Sequence, residues 1–223
     1  MSAADTKLTI LDAAERLFAD HGFAATSLRN IISEAGVNLA AVHYHFGSKD
    51  ALIKAVLDRR IIPLNLERLR LLDLADAGGA DAVDFLEQII EALIGPPLRL
   101  SRENKTAGEH FMKLIGRTFA EADENLKKMF FAMFDEVVRR FFPAFEKACP
   151  HLPSSTLFWR CHFMVGGMAH TMCDKEAVEM YAKGVCDTND VDGIIRELVE
   201  FSAAGLRATA NLTTAKTKVK VRK

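Results

Sequence analysis

Long apolar runs are missing from this chain of 223 residues: no stretch approaches the roughly 18 apolar residues that a membrane-spanning helix requires. No secretory signal is visible, because Met1–Thr9 is polar and no long apolar stretch follows it, so none is expected. Cys149, Cys161, Cys173 and Cys186 form no Cys-x-x-Cys pair, and a chain of this size needs no disulfides. These absences suggest a reduced, cytoplasmic protein in which the sequon Asn211-Leu212-Thr213 is accidental. An excess of charge of one sign is lacking too. The formal net charge of −1 excludes a generic nucleic-acid glue. No internal repeat and no pair of alternating strands is visible. The His-Glu-x-x-His, Gly-x-Ser-x-Gly and phosphate-loop motifs are absent, so neither an enzyme nor a bound cofactor is expected.

Charge is spread unevenly. Residues 1 to 60 hold seven basic and seven acidic side chains, residues 213 to 223 hold five basic and no acidic ones, and the remainder is acidic. A nucleic-acid contact therefore belongs to the N-terminal segment, with the basic, disordered tail Thr213–Lys223 as an accessory.

The hydrophobic period is helical almost throughout. Asp5 or Thr6 caps a first helix bearing Ile10, Leu11, Ala14, Leu17 and Phe18, which ends at His21-Gly22. Thr26 or Ser27 caps a second, with Leu28, Ile31, Ile32 and Ala35 on one face. Gly36 turns the chain, Asn38 caps a third helix over Leu39–His45, and Ser48 opens a fourth, with Leu52, Val56 and Leu57 inward. Pro63 should kink or break that helix, whose pattern resumes through Leu66, Leu69 and Leu72 to Gly78-Gly79. A fifth helix is expected from Asp81 to Ile94, stopped by Gly95-Pro96-Pro97. Ser101–Thr106 reads as a loop, and helices follow near 107–121, 123–148, 154–174 and 190–210.

The most informative stretch is Gly36–Leu52. Two helices joined by a short turn containing glycine form a helix-turn-helix, whose second helix can enter the major groove of DNA. Asn38, Leu39, Ala40, His43 and Tyr44 point outward from it, with no acid among them, while Val42 and Phe46 hold it from inside. Arg29, near the start of the preceding helix, can reach a phosphate or a base edge. Lys49 and the first amides of the fourth helix suit a phosphate. Neutral charge gives one such unit few phosphate contacts, so two copies on a palindrome are expected.

Residues 6 to 57 resemble the DNA-binding domain of the TetR family of bacterial transcriptional regulators. The resemblance rests on Ile10 to Ala14, Leu17-Phe18, Gly22-Phe23, Thr26-Ser27, Ala35-Gly36-Val37, Tyr44-His45-Phe46, Ser48-Lys49 and Leu52. It implies an all-α fold: a three-helix reading domain over residues 1–50, and a larger domain over 51–212 that dimerises and binds a small effector. It also implies DNA contacts from Arg29, Leu39, Ala40, His43, Tyr44, His45 and Lys49, and Thr26, Ser27 and Asn38 are expected to join them. His43 departs from the pattern, since the family often has tyrosine there.

Farther along, Leu126, Met129, Phe130, Met133, Phe134, Val137, Val138, Phe141, Phe142 and Phe145 make a wide apolar stripe, preceded by Phe111, Met112, Ile115 and Phe119. Dense Phe and Met suit an adaptable apolar pocket. The expected lining is Phe111, Met112, Ile115, Phe119, Phe130, Met133, Phe134, Val137, Val138, Phe141, Met164 and Met168. Phe158, Phe163, Gly166, Gly167 and His170 on one helix, with Leu198, Phe201 and Gly205 on another, read as a dimer interface built as a four-helix bundle. This half is similar to the PsrA-like branch of the family through Phe111 to Leu114 and Leu157 to Met164, which implies a fatty acid or acyl-CoA effector. Lys113, Arg117, Arg160 or His162 could hold its head group. His170 and Cys173, with Cys161-His162, are better read as structural than as metal ligands. The competing function is a helical small-molecule or redox sensor that does not act through DNA.

Overall fold

The computed structural model describes residues 2–79, 84–102 and 105–210, except for the side chains of 105–109 and 119. All regular structure among them is helical. The tail Thr213–Lys223 and the expected helix start at Asp81 lie outside the described residues.

Four capped helices build the N-terminal unit. α1 (Ala3–His21) is capped by Ser2 rather than Asp5 or Thr6. The Ser2 hydroxyl accepts the Asp5 N–H while the Asp5 carboxylate accepts the Ser2 N–H, so two otherwise unpaired donors are satisfied reciprocally. Ser27 caps α2 (Leu28–Ala35), Asn38 caps α3 (Leu39–Phe46) and Ser48 caps α4 (Lys49–Gly78). Gly36 closes α2 in the left-handed region, at φ +63°. Ile10, Phe18, Ile31, Val42, Leu52 and Val56 pack these helices together.

Pro63 does not break α4, which runs uninterrupted for 30 residues. A helical proline costs about 3 kcal/mol. Leu57, Ile61 and Leu64 are buried around it, and each fully buried side chain of this kind contributes about 1.5–3 kcal/mol, so packing wins. The buried stripe of the second half also differs from the expected one. Leu66 is exposed, whereas Leu64, Arg68, Leu72 and Ala75 face inward.

α5 (Phe85–Arg102) likewise runs straight through Gly95-Pro96-Pro97. It is a central helix, with Ile89, Ile90, Ile94 and Leu98 fully buried. Ser101 and Arg102 end α5, and Lys105 and Thr106 begin α6 (Lys105–Ala120), so the described part of the expected loop is helical. The single helix expected over 123–148 is two: α7 (Glu124–Ala132) and α8 (Asp135–Ala148). Tight bonds from Met133 N–H to the Phe130 carbonyl and Phe134 N–H to the Phe131 carbonyl close the corner. Asn65 on α4 satisfies the Met133 carbonyl at 2.8 Å. α9 (Ser154–Cys173), a short α10 (Lys175–Ala182) that the periodicity did not reveal, and α11 (Val191–Arg207) complete the order. α11 packs on α5 and α9. No described helix is long and apolar enough to cross a membrane.

Candidate nucleic-acid interface and effector cavity

α3 projects its outer face from the end of the N-terminal unit. Asn38 is exposed at its start, with the Oδ1 accepting the Ala41 N–H at 2.9 Å. Leu39, Ala40, His43 and Tyr44 are exposed, Tyr44 to 82%. His43 Nδ1 lies 2.9 Å from the Gly47 carbonyl, which steadies the ring at the helix end. His45 is half-buried and meets Tyr44 edge to face, with centroids 5.0 Å apart. Ser27 and Arg29 are exposed on the neighbouring α2. Lys49 opens α4, its Nζ 3.5 Å from the Ala24 carbonyl. Three helix tips thus converge on one surface with donors and no acid on α3, which suits phosphates and base edges. Thr26 is the exception. It is buried, and its hydroxyl donates to the Leu17 and Gly22 carbonyls, so it ties the turn together and faces no groove.

Polar joints tie this unit together and attach it to the rest. Buried Glu15 accepts both Nε and Nη2 of Arg60, at 2.9 and 2.7 Å, and meets Arg59, fixing α1 to α4. Glu121, at the end of α6, accepts the Phe23 and Ala24 N–H groups at 2.6 and 2.9 Å. Lys113 and Arg117 also bind α1, through the Asp20 carboxylate and carbonyl.

The second unit holds a cavity of about 430 Å³, within the range of roughly 300–1,000 Å³ usual for small-molecule sites. Phe111, Met112, Ile115, Phe130, Phe134, Val137, Val138, Phe141 and Met168 of the expected residues line it. Met133 instead sits at the corner between α7 and α8, and Met164 packs in the core away from the space. The Phe119 side chain lies outside the described residues. Phe158, expected at an interface, also lines the cavity, as do Phe131, Phe142, Phe145, Cys161, Val165, Ala169 and Met172. Burial pushes the Cys161 thiol up to about 12, so it stays neutral.

Of the four candidates for a charged head-group partner, only His162 borders the cavity. Lys113 and Arg117 are engaged with α1, and Arg160 donates to the Gly205 and Ala208 carbonyls. Among the described residues, the charge that does line the space is Arg68, which pattern reading passed over. Its signal was present: at four-residue spacing Leu64, Arg68 and Leu72 share a face, so a cation occupies the middle of a buried stripe.

On the outside, α9 and α11 leave large side chains uncovered. Phe163 is 65% and Phe201 78% exposed, and Trp159 stacks on Phe163 at 5.8 Å. Gly166, His170 and Gly205 are exposed beside them. Leu198 and Gly167 face each other inside the protomer, where a Cβ at Gly167 would lie 3.7 Å from Leu198. Among the described residues no cluster of three His, Cys, Asp or Glu side chains is placed to hold a metal.

Comparison with known proteins agrees with this architecture. Residues 10–56 match the profile described as bacterial regulatory proteins, tetR family, and residues 91–205 match tetracyclin repressor-like, C-terminal domain. The HTH-type transcriptional repressor Rv3405c of Mycobacterium tuberculosis is 55% identical over 49 residues, 22% of this chain and 26% of that protein. The regulator TtgR of Pseudomonas putida is 43% identical over 56 residues, 25% of this chain and 27% of its own. These matches span only about a quarter of the relatives' length. Among solved structures, the fatty acid degradation regulator FadR from Bacillus halodurans superposes with a TM-score of 0.62 at 13% identity, over 91% of this chain and 96% of its own. The SmeT–triclosan complex gives 0.61 at 22%, over 90% and 91%. With both of its units matched in order, the chain belongs to the TetR family of bacterial transcriptional regulators, which bind DNA operators, are typically dimeric and respond to small molecules.

Proposed function

We propose that the protein is a homodimeric repressor released from a palindromic operator by a small hydrophobic effector, a fatty acid or acyl-CoA, as in the PsrA-like branch. The observation that carries this is α4. One uninterrupted helix begins with Lys49 on the reading surface and passes through the cavity wall at Leu64 and Arg68. Residues 1–50 read DNA through Ser27, Arg29, Asn38, Leu39, Ala40, His43, Tyr44, His45 and Lys49. Residues 51–212 bind the effector and dimerise, with Phe158, Phe163, Gly166, His170, Phe201 and Gly205 between protomers. A regulator acting on DNA in this way works in the cytoplasm.

The mechanism follows from geometry. Two reading helices must match half-sites about one helical turn apart. An effector that shifts the cavity-lining segment of α4, or the α6 end that Glu121 ties to Phe23, changes their separation. A differential affinity of about 1–3 kcal/mol lowers operator binding 5- to 150-fold. Exposed aromatics on α9 and α11, with Trp159 and Phe163 stacked side by side, support the dimer.

The test is to select duplexes from a random library with the full-length protein and titrate the complex with dodecanoic acid and with dodecanoyl-CoA. Release by one of them, from a site with two-fold symmetry, is the expected result. Selection of no preferred duplex, or a complex that neither compound disturbs, would overturn the reading.

A further inference from the structure

Arg68 is a charge buried in an apolar cavity with no counter-charge among the described residues. It is 5% exposed, and burial lowers its guanidinium to about 10, so it remains a cation at neutral pH. Its neighbours are neutral. Nε donates to the Leu93 carbonyl at 2.8 Å, Nη1 to Asn65 Oδ1 at 3.2 Å, and Nη2 lies 3.9 Å from the Met168 sulfur. The Phe134 ring stands 5.9 Å from the guanidinium carbon. No carboxylate among the described residues forms an ion pair with it. The other buried charge among the described residues is handled differently, because Glu15 meets two arginines. Isolated buried charge is costly and is normally paired. A guanidinium has five N–H donors, and among the described partners three are engaged, one of them only by sulfur.

We infer that Arg68 is the anchor for the anionic head of the effector: a monocarboxylate whose planar head takes the free face of the guanidinium while its apolar tail fills the Phe-lined cavity. This rests on the cavity being the effector site. It chooses between the two chemistries proposed above. A free acid carries its charge at the end of the chain, where Arg68 can meet it with two parallel hydrogen bonds. A thioester is neutral at that position, and its charged groups lie far off on a nucleotide that a cavity of about 430 Å³ cannot enclose beside the tail. The anchor is also connected. Asn65, which accepts from Arg68, donates to the Met133 carbonyl at the corner between α7 and α8. Capture of a head group therefore acts on α4 and on that corner together.

Calorimetric binding of dodecanoate, dodecan-1-ol and methyl dodecanoate to full-length protein at neutral pH tests this. Dodecanoate should bind about 10- to 100-fold tighter than the alcohol or the ester, the scale of a hydrogen bond to a charged group. Arg68→Gln keeps an N–H for the Leu93 carbonyl while removing the charge, and should abolish that preference with tail binding intact. Arg68→Lys should retain part of it. Ala169→Trp fills the cavity and should block all three ligands; if it does not fold, Val165→Trp at a more open wall position serves. Equal binding of acid and alcohol by the wild type, or a preference that survives Arg68→Gln while Ala169→Trp blocks binding, overturns the anchor alone. Undiminished binding to the folded Trp variant, or no binding of any of the three to the wild type, overturns the cavity reading as well.

Discussion

Arg68 Nε and the Leu93 carbonyl oxygen are 2.8 Å apart, and Pro97 is the reason they meet. In α5 the Leu93 carbonyl would accept from the N–H four residues on, but that residue is a proline and has none. A side chain from α4 fills the gap. The helix can therefore continue through a Gly-Pro-Pro sequence in the middle of the core.

A double-mutant cycle makes this relationship measurable. Arg68→Met leaves the Leu93 carbonyl unpaired, at a cost of about 1–3 kcal/mol, partly offset by removal of a buried charge. In a Pro97→Ala background the backbone N–H returns, and the same substitution should cost less. We expect a coupling of about 1 kcal/mol in urea unfolding, within the range for residues in one hydrogen-bond network. Additive effects would show that the arginine does not support the helix.

The joint between α6 and the reading unit should respond to Glu121→Ala. Loss of the carboxylate removes two acceptors from the Phe23 and Ala24 amides, with a cost of about 1–2 kcal/mol. Those two amides should lose hydrogen-exchange protection while Ile31 and Val56 keep theirs. Gly22→Ala should do at least as much damage. Gly22 has φ +88°, and an added Cβ would lie 2.7 Å from Glu121 Oε1. Unaltered exchange at Phe23 and Ala24 in Glu121→Ala would remove the joint from the mechanism.

On the reading surface, Tyr44→Ala should leave stability within about 0.5 kcal/mol, since the ring is almost fully exposed. Operator affinity should fall about tenfold or more, the scale of one lost base contact. Lys49→Ala should instead flatten the salt dependence of binding by about one counterion per half-site. Affinities unaffected by either change would move the contact away from α3.

Phe163→Asp and Phe201→Asp place a charge in the exposed aromatic patch of α9 and α11 without touching the core. The expected outcome in sedimentation is a folded monomer, with operator binding lost at protomer concentrations that saturate the wild type. A dimer that persists in both variants would place the interface elsewhere.

The N-terminal unit was legible because its signals are local: Ser27, Asn38 and Ser48 each cap a helix with their own side chain, and Gly36 needs no distant partner. What misled pattern reading was tertiary. Pro63 and Pro96-Pro97 look like stops until burial of Ile61 and Leu98, and the hydrogen bond from Arg68, outweigh the lost N–H groups. The corner at Met133 has no glycine or proline to announce it and is held by Asn65 from 68 residues away. Aromatic density found most of the cavity wall, because Phe111, Phe130, Phe134 and Phe141 do face one space. It could not find the polar group. Arg68 sits in a leucine-rich stretch, where a cation reads as solvent-facing until the helix register is known, and Thr26 resembles a cap until its hydroxyl is seen to point inward.

The most direct measurement is fluorescence anisotropy of the selected operator duplex at fixed salt, with and without dodecanoate, for the wild type and Arg68→Gln. The expected result is tight binding by both proteins without the acid. With it, the wild type should lose 5- to 150-fold in affinity and Arg68→Gln should be nearly indifferent. An operator affinity that dodecanoate leaves unchanged in the wild type, or lowers equally in Arg68→Gln, would contradict a regulator switched by an anion held where α4 lines the cavity.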